Sequence, residues 1–378
     1  FGGGQDPDPV VLDFPIAYVK RPLPVDDNGD PTGFDVREPV TFDIGADLYV
    51  RDRASPSTAD VNVTGDITEG LGDVRDLEVS RDGTKVLFAM RARFIEGADE
   101  EDQPTWNVCE YDIPGAVLRR IIDSDIVAES RHDLAPAYLP DGRMVFLSTR
   151  PSGLVPCANS GVSILHVMNA DGSDIHPISV NHVNEFDPSI LPDGKILFGR
   201  WEYVDKNALT IQSLWAVNPD GTQETAVFAN NMVFPEAILD ARHVPDTHWI
   251  LGTLAKHNST PRGSIALIDP RRGKNHAAAI ENLEHPDNPT HDRGDSCEPW
   301  PVTSEVFLFS GRPAGSQRNV IQITDRSGRR EVLLSDPDIC PHSPMLIKPR
   351  PRPPVIRDTV DRTQVSGRFF LQDVYKGM

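Results

Sequence analysis

The sequence predicts an all-β fold built from repeated four-stranded antiparallel sheets, and two observations lead to this prediction. The first is a short strand, a Pro-Asp-Gly corner and a second apolar strand over residues 184–200. Proline presets φ at the first corner, and glycine adopts the positive φ that the corner requires. The second is that this hairpin recurs around Asp82 and Asp141. Two apolar runs separated by Asp-Gly are a strong hairpin signal, so the chain contains several copies of one unit.

The spacing of the copies indicates how the units are arranged. Asp82, Asp141 and Asp193 lie 59 and 52 residues apart, slightly above the roughly 40–50 residues of familiar propeller blades. A further strand with its own Asp-Gly turn follows the later hairpins, at Asp171 and Asp220. Each unit is therefore a four-stranded meander, which cannot bury its own two faces. Packing the units around a common axis buries these faces, so the sequence predicts a six-bladed β-propeller.

The predicted strands follow one another over residues 14–350, which form the predicted propeller domain. In order, the sequence places three N-terminal strands at 15–21, 47–51 and 61–64, complete units from Asp73, His132 and Asn184, a degenerate fourth unit from Phe234 and a fifth unit from Asp295. The unit from Phe234 lacks an Asp-Gly corner and has a longer loop with Pro245 and Asp246 instead. Alternating apolar residues bounded by turn residues support each of these strands.

The two ends of this domain complement each other. Residues 342–347 are typical of an innermost strand, but no hairpin follows them, whereas the three N-terminal strands lack an innermost strand. Pairing of the two ends completes a sixth blade, closes the ring and removes the exposed sheet edges. Seven blades is the alternative count.

Two segments lie outside the predicted propeller. Residues 1–13 are an acidic, glycine-containing tether. They are interpreted either as a processed N-terminus behind a lipid-anchored cysteine or as a cloning boundary. Residues 351–378 are a proline-rich exit followed by a predicted strand at 367–375. We expect this strand to belong to a downstream domain.

Composition excludes several classes of partner. The chain has 378 residues, a net charge of −20 and 38% hydrophobic residues. Such a surface does not attract nucleic acid or an anionic membrane, and no run of 18 apolar residues occurs. The four cysteines are Cys109, Cys157, Cys297 and Cys340, none in a C-x-x-C pair, so structural zinc through these thiols is not expected. A disulfide between Cys297 and Cys340 and buried free thiols both fit the sequence.

Polar residues recur just before the predicted innermost strands. The candidate metal-binding residues are His132, Asp133, Glu185, Asp187, His291, Asp292, Asp295 and His342. In a propeller these positions surround one mouth of the central channel, where imidazole and carboxylate groups suit a divalent cation or a polar ligand. The alternative is that they bind backbone groups at strand ends. No G-x-S-x-G motif occurs, so a hydrolytic site has little support.

The repeated Leu-Pro-Asp-Gly corners resemble the propeller repeats of the TolB type. Residues 13–22, 131–136, 184–188, 200–206 and 213–221 more narrowly resemble the hydrazine synthase alpha subunit family. That resemblance implies an N-terminal six-bladed propeller followed by domains that carry c-type haem. It also implies a periplasmic or otherwise exported electron-transfer assembly.

One departure from the family bears on mechanism. No C-x-x-C-H motif occurs in the chain, so haem c cannot attach here by that motif. We therefore expect an exported scaffold or binding module that docks redox domains or partner subunits, in the periplasm or outside the cell, with a surface lipoprotein as one form. The alternatives are an enzyme with a metal-dependent or hydrolytic site at the channel mouth, and a TolB-like cell-envelope interaction module.

Overall fold

The computed structural model describes residues 13–375, apart from 24, 26–32, 56, 157–159, 205–210, 369, 372 and 374. Within these residues the helices are α1 (Gly65–Thr68), α2 (Asp125–Ala128) and the 3-10 turns Glu100–Asp102, Pro270–Arg272 and Ala277–Ala279. The strands are β1 (Ile16–Arg21), β2 (Asp47–Arg51), β3 (Val61–Asn62), β4 (Asp73–Val79), β5 (Lys85–Arg91), β6 (Trp106–Asp112), β7 (Val117–Arg120), β8 (Asp133–Tyr138), β9 (Met144–Ser148), β10 (Ile164–Met168), β11 (His176–Pro177), β12 (Glu185–Ile190), β13 (Ile196–Trp201), β14 (Gln212–Val217), β15 (Thr225–Phe228), β16 (Ala237–His243), β17 (Ile250–Ala255), β18 (Gly263–Ile268), β19 (Ile280–Asn282), β20 (Ser296–Pro301), β21 (Val306–Gly311), β22 (Val320–Asp325), β23 (Arg330–Leu334) and β24 (Cys340–Leu346). The all-β class is confirmed.

The strands pair antiparallel in six groups of four, which we call sheets I to VI. Sheet I holds β4–β7, sheet II β8–β11, sheet III β12–β15, sheet IV β16–β19 and sheet V β20–β23. Sheet VI has the order β24-β1-β2-β3 and therefore combines both ends of the described chain. Single bridges from Gln212 to Ala237 and from Gly263 to Ser296 link sheets III, IV and V. The predicted four-stranded antiparallel unit is confirmed.

The Asp-Gly corners join the first two strands of sheets I, II and III. Gly83, Gly142 and Gly194 have φ of 73°, 97° and 89°, the left-handed conformation that glycine adopts without a steric penalty. Sheet IV has no glycine at this corner, and Asp246 takes the left-handed conformation there with φ of 57°. Aspartate tolerates this region better than most side chains, which explains how the less regular unit still forms its hairpin.

The two ends of the chain meet in sheet VI. β1 pairs antiparallel with β24, with Ile16 opposite Leu346 and Ala17 opposite Met345. The first strands of the six sheets also contact one another in succession, from β24 through β4, β8, β12, β16 and β20 and back to β24. The first strands therefore lie together at the centre of the molecule, where their side chains can form one site.

Apolar side chains from neighbouring sheets interlock to form the core. Leu87 of sheet I packs with Phe146 of sheet II, and Leu267 of sheet IV packs with Phe307 of sheet V. The second strands, such as β9 and β17, are buried along their whole length, as expected of strands covered on both faces. Each buried Leu or Phe side chain contributes roughly 1.5–3 kcal/mol, so the sheets are held together mainly by their faces.

Two irregular segments lie over the ends of the first strands. The cap loop (residues 33–43) connects β1 to β2, and the C-terminal strap (residues 348–363) follows β24. No strand is assigned among the described residues of 367–375, and residues 1–12 of the predicted tether lie outside the described part. Cys109, Cys297 and Cys340 are buried free thiols, whereas Cys157 is not described.

Candidate functional site in the central cavities

Each first strand contains a β-bulge at which one residue takes the left-handed conformation. We call these six residues the bulge ring: Asp76, Ala135, Asp187, Asp240, Glu298 and Ser343, with φ between 45° and 58°. The strand register shifts at this point in every sheet. A bulge turns one residue out of the pleat, and all six side chains line a small central cavity of about 60 Å³.

The acidic members of the bulge ring link neighbouring sheets. The bonds run from Ala135 N to Asp76 Oδ2 (2.9 Å), from Asp240 N to Asp187 Oδ2 (2.9 Å), from Glu298 N to Asp240 Oδ2 (3.1 Å) and from Ser343 N to Glu298 Oε2 (2.9 Å). Each carboxylate accepts the N–H of the bulge residue in the next sheet, a donor that the distorted strand leaves unpaired. Buried N–H groups without a partner are costly, so these bonds stabilise the contact between sheets.

Burial sets the protonation of the ring. Burial raises the pKa of Asp187 to about 6 and raises the pKa of Asp240 well above its usual value, with the neighbouring carboxylates adding to both shifts. Burial alone would also raise the pKa of Glu298, but hydrogen bonds from His342 and Ser343 hold it below its ordinary range. The ring therefore carries fewer negative charges than its four acids would carry in water.

A second cavity, of about 140 Å³, lies between the bulge ring and the cap loop, and we call it the larger cavity because it exceeds the cavity inside the bulge ring. Its apolar walls include Phe34, Leu134, Phe186 and Leu239, and its charged groups include three arginines. The cap loop is tied to several sheets by three bonds, from Val36 N to Ser259 O (3.0 Å), from Asn184 Nδ2 to Arg37 O (2.9 Å) and from Trp106 Nε1 to Val40 O (3.0 Å). The loop therefore covers this end of the central channel.

The strap covers the opposite end, where a third cavity of about 270 Å³ is lined by Arg242, Trp300 and residues 350–354. Its contacts are Arg350 Nη2 to Glu78 Oε1 (2.9 Å), Arg352 Nε to Pro140 O (2.6 Å), Arg143 with both oxygens of Asp358 (2.8 Å each) and Thr359 N to Asp220 Oδ2 (2.7 Å). The strap thus runs across the Asp-Gly corners of several sheets, at the end of the molecule opposite the cap loop.

Three side chains at the floor of the larger cavity are arranged as metal ligands would be. The ligand atoms of Cys297, Glu298 and His342 all lie within 4.8 Å of one another. His342 Nδ1 is 3.4 Å from Glu298 Oε2, and Cys297 Sγ is 3.8 Å from the same oxygen. These separations fit a tetrahedral ion with bonds of about 2.0–2.3 Å. Among the residues that the structure describes, this is the one cluster of its kind.

The structure separates the eight residues predicted as metal ligands. Asp187 and His342 line the larger cavity, whereas the other six do not. His291 stacks on His285 with ring centroids 3.9 Å apart. Asp295 is exposed, with an oxygen 3.7 Å from Arg312 Nη1.

The remaining four predicted residues bind groups of the same or a neighbouring sheet, away from the larger cavity. His132 Nδ1 accepts from Trp106 N (3.2 Å), Asp133 pairs with Arg150, Glu185 Oε2 accepts from Leu165 N (2.8 Å) and Asp292 Oδ2 accepts from Glu236 N (3.2 Å). These are the contacts expected of polar residues at strand ends.

Sequence reasoning missed Cys297 and Glu298 in the cluster and Asp76 and Asp240 in the bulge ring. A signal for the ring was present, because proline follows the ring position at 136, 188, 299 and 344. Aligning the repeats on the residue before this proline would have placed Glu298 beside Asp187.

The comparisons with solved structures show a propeller-type fold. The chain is similar to hydrazine synthase from Kuenenia stuttgartiensis, with a TM-score of 0.70 and 16% identity over 91% of this chain and 48% of that chain. It is also similar to TolB from Acinetobacter baumannii, with a TM-score of 0.57 and 13% identity over 88% of this chain and 67% of that one. The chain thus spans about half the length of the hydrazine synthase chain.

Sequence comparisons add no family assignment. No family model matches the chain, and no curated protein matches it by sequence. At identities this low the likeness to solved structures concerns the fold. In the described part of the chain, no helix has the length and hydrophobicity needed to span a membrane.

Proposed function

We propose that sheets I to VI are the blades of a closed six-bladed propeller that serves as a binding and assembly module for redox domains or partner subunits. The observation behind this proposal is the alignment with hydrazine synthase, which includes 91% of this chain but 48% of that one. The aligned part of that protein is therefore one section of a larger protein. The contacts from β24 through all first strands and back to β24 support the blade count and the closure.

Exposed apolar residues in the C-terminal segment support docking to another domain or subunit. Phe370 is 91% exposed and Leu371 is 69% exposed. Adjacent large apolar side chains in water are unfavourable, and such exposure is typical of an interaction surface. The propeller would present this segment to a haem-bearing domain or subunit. The haem would be bound by that partner, because the chain has no C-x-x-C-H motif of its own. We place this assembly outside the cytoplasm, in the periplasm or on the cell surface behind a lipid anchor.

Capture from the periplasmic fraction of the source cells tests the docking. The purified, tagged chain should retain a protein that stains for covalently bound haem. Changing Phe370 and Leu371 together to serine should reduce the recovered haem at least several-fold. Val360→Ser is the matched control, since Val360 is half-exposed in the strap and should leave capture unchanged. Equal capture by both variants, or no haem protein at all, would contradict the proposal.

A second function is favoured by the cluster of Cys297, Glu298 and His342 in the larger cavity. We propose that these side chains hold a divalent cation of the zinc type. Three protein ligands leave a fourth position open, which is the arrangement of catalytic rather than structural zinc sites. The alternative function is therefore that of a metal-dependent enzyme, in which the cavity walls would form the substrate pocket.

Titration with Co²⁺ tests the cation site separately from docking. The wild-type chain should bind one equivalent and develop the absorption of a thiolate–cobalt bond. Cys297→Ala should lose this absorption, whereas Cys340→Ala should retain it, because Cys340 is a buried thiol outside the cluster. A cobalt spectrum without a thiolate band, or one that survives Cys297→Ala, would refute the assignment.

A further inference from the structure

The guanidinium of Arg75 is buried at the larger cavity without hydrogen-bond partners. Arg75 is 7% exposed, and its Nε and Nη2 atoms have no hydrogen-bond partner. The guanidinium lies over the ring of Trp106 at 4.0 Å and over that of Phe34 at 5.2 Å, so it contacts two aromatic groups. Burial lowers the pKa of Arg75, and the nearby carboxylates of Asp76 and Asp73 oppose this effect only in part.

The other charged groups around this cavity already have partners. Arg21 donates to Asp43 (3.1 Å) and pairs with Asp73 (2.9 Å), and Arg262 donates to Asn319 (2.7 Å). Asp76 Oδ2 lies 3.8 Å from Arg75 Nε, which is too long for a hydrogen bond.

The acidic groups that line the cavity also have hydrogen-bond partners. Asp76, Asp187, Asp240 and Glu298 accept from the neighbouring bulge residues, as described above, and His342 faces Glu298. Among the described charged groups that line the cavity, Arg75 therefore has a long ion pair with Asp76 but no hydrogen bond, and an anion beside it would satisfy donors that the protein leaves open.

The cavity walls restrict the class of that anion. Phe34, Val36, Leu134, Phe186 and Leu239 are apolar, so much of the cavity surface cannot hydrogen-bond to a ligand. Its volume of about 140 Å³ is close to that of an apolar protein cavity of roughly 150 Å³ that admits benzene, a molecule of about six heavy atoms. A straight-chain carboxylate of the same size is butanoate. Its planar carboxylate matches the forked donors of an arginine.

We propose that the cavity beneath the cap loop binds a short-chain monocarboxylate, with the carboxylate against Arg75 and the alkyl chain against the apolar walls. This proposal does not depend on the docking, and it requires no bound cation, although the cation cluster proposed above lines the same cavity. It assigns to the propeller the recognition of a small organic acid. The cavity of about 140 Å³ is too small for the alkyl chain of a long-chain carboxylate.

Carbon-13 NMR of [1-¹³C]butanoate with the purified full chain tests the proposal. EDTA is present throughout, so that failure of the cation site does not affect the result, and NaCl keeps the ionic strength constant. We expect saturable binding of one butanoate. Butan-1-ol and butylammonium, measured as competitors, should bind at least about 10-fold more weakly, because each lacks the charge that pairs with Arg75.

The variant Arg75→Met removes the guanidinium and keeps an apolar side chain in its place. It should weaken butanoate binding by about 10-fold or more. Arg326→Met is the matched control, since Arg326 also lies over a tryptophan, Trp249 at 3.8 Å, but pairs with Glu281 outside the cavity. This control should bind as the wild type does. Unchanged binding by Arg75→Met would overturn the proposal.

A series of chain lengths on the wild-type protein keeps the test decisive if Arg75→Met does not fold. Affinity should rise from acetate to butanoate and be lost with octanoate. Absence of saturable binding for all three acids would mean that the cavity holds water only and would overturn the proposal. Octanoate binding as tightly as butanoate would also overturn it, because a chain of that length does not fit a cavity of about 140 Å³.

Discussion

The bulge ring shows how single residues join the sheets. Asp187 has φ of 45° and accepts the N–H of Asp240, and Ala135 has φ of 46° at the same position of sheet II. Alanine is therefore compatible with the backbone of the bulge, and the role of the aspartate lies in its oxygen atoms. The left-handed backbone conformation and the hydrogen bond to the next sheet are therefore separate properties of this position.

Two substitutions at Asp187 test that role. Asp187→Ala should lower the free energy of unfolding by about 1–3 kcal/mol, because the buried Asp240 N–H loses its acceptor. Asp187→Asn keeps an acceptor oxygen, tolerates the left-handed conformation and removes a charge beside Asp240. Its stability should match or exceed that of the wild type in urea unfolding. Equal losses for the two variants would show that the charge, not the acceptor, is required.

Glu185 gives a pH dependence at the residue scale. Burial raises its pKa to about 7, against the lowering effect of hydrogen bonds from Ser179 and Leu165. Because this pKa lies above that of the unfolded chain, the bound proton stabilises the fold at low pH. The contribution is lost as the pH rises from about 4.5 through 7.

The variant Glu185→Gln should therefore gain stability relative to the wild type as the pH rises, by up to about 3 kcal/mol between pH 4.5 and 8. Urea unfolding at a series of pH values measures this difference. Glu224→Gln is the control, since Glu224 also faces Arg200 but is exposed, and its difference from the wild type should vary little. A pH-independent difference for Glu185→Gln would contradict the assignment.

The eight candidate residues show what a sequence can reveal about a site. The position before each first strand was recognised, and Asp187 and His342 do line the cavity. Polar residues near strand ends look alike in sequence whether they face a cavity, as His342 does, or bind a backbone group elsewhere, as Asp292 does with Glu236 N. The direction in which such a side chain points depends on the β-bulge of its strand, and the sequence pattern alone does not give the geometry of the bulge.

At the scale of elements, the hairpins were the most predictable part of the fold. The corners at Gly83, Gly142 and Gly194 are local, so a few turn residues between apolar runs specify them. The strap depends on contacts between residues more than 200 positions apart, such as Arg143 with Asp358. Local patterns do not contain that information. The sequence therefore indicated an extended proline-rich exit but not where it lies.

Alanine substitutions of the corner glycines distinguish the role of each glycine in the turn from its role in the contact with the strap. A Cβ at Gly83 would lie 2.8 Å from the backbone carbon of Lys348, and one at Gly194 would lie 2.4 Å from Pro354 O. A Cβ at Gly142 would meet nothing within 4 Å. Gly142→Ala should cost about 1–2 kcal/mol through its positive φ alone. Gly83→Ala and Gly194→Ala should cost more and displace the strap.

Limited trypsin digestion measures this displacement, because the strap contains the cleavable Arg357-Asp358 bond, whereas Arg350 and Arg352 each precede a proline and resist trypsin. Cleavage after Arg357 should be faster in Gly83→Ala and Gly194→Ala than in the wild type. In Gly142→Ala the rate should stay close to that of the wild type. Equal rates in all three variants would show that the glycines serve the turn only.

At the scale of the whole molecule, the pairing of β1 with β24 connects the ends of the described chain. It was predictable because each end lacked what the other supplies, an innermost strand at one end and its three partners at the other. The cap loop was not predictable, because its bonds to Asn184 and Ser259 are long-range contacts of an irregular segment. The four-stranded sheets thus follow from the repeats, whereas the position of the cap loop over the central cavities does not.

Two truncations test whether this pairing holds the molecule together. Ending the chain after Lys348 removes the strap but keeps β24, whereas ending it after Ser335 removes both. β24 buries Met345 and Leu346, pairs with β1 and contacts β4 and β20. Its loss exposes the edge of β1 and the faces of two neighbouring sheets, at a cost comparable with the roughly 5–15 kcal/mol of a typical domain.

We therefore expect the chain ending at Lys348 to unfold in one cooperative transition with a lowered midpoint. The chain ending at Ser335 should have no cooperative transition and should bind a dye specific for exposed apolar surface. Circular dichroism during urea unfolding and dye fluorescence measure the two properties. If the shorter chain unfolds as cooperatively as the longer one, β24 does not close the structure, and the molecule is instead held by contacts between successive sheets alone.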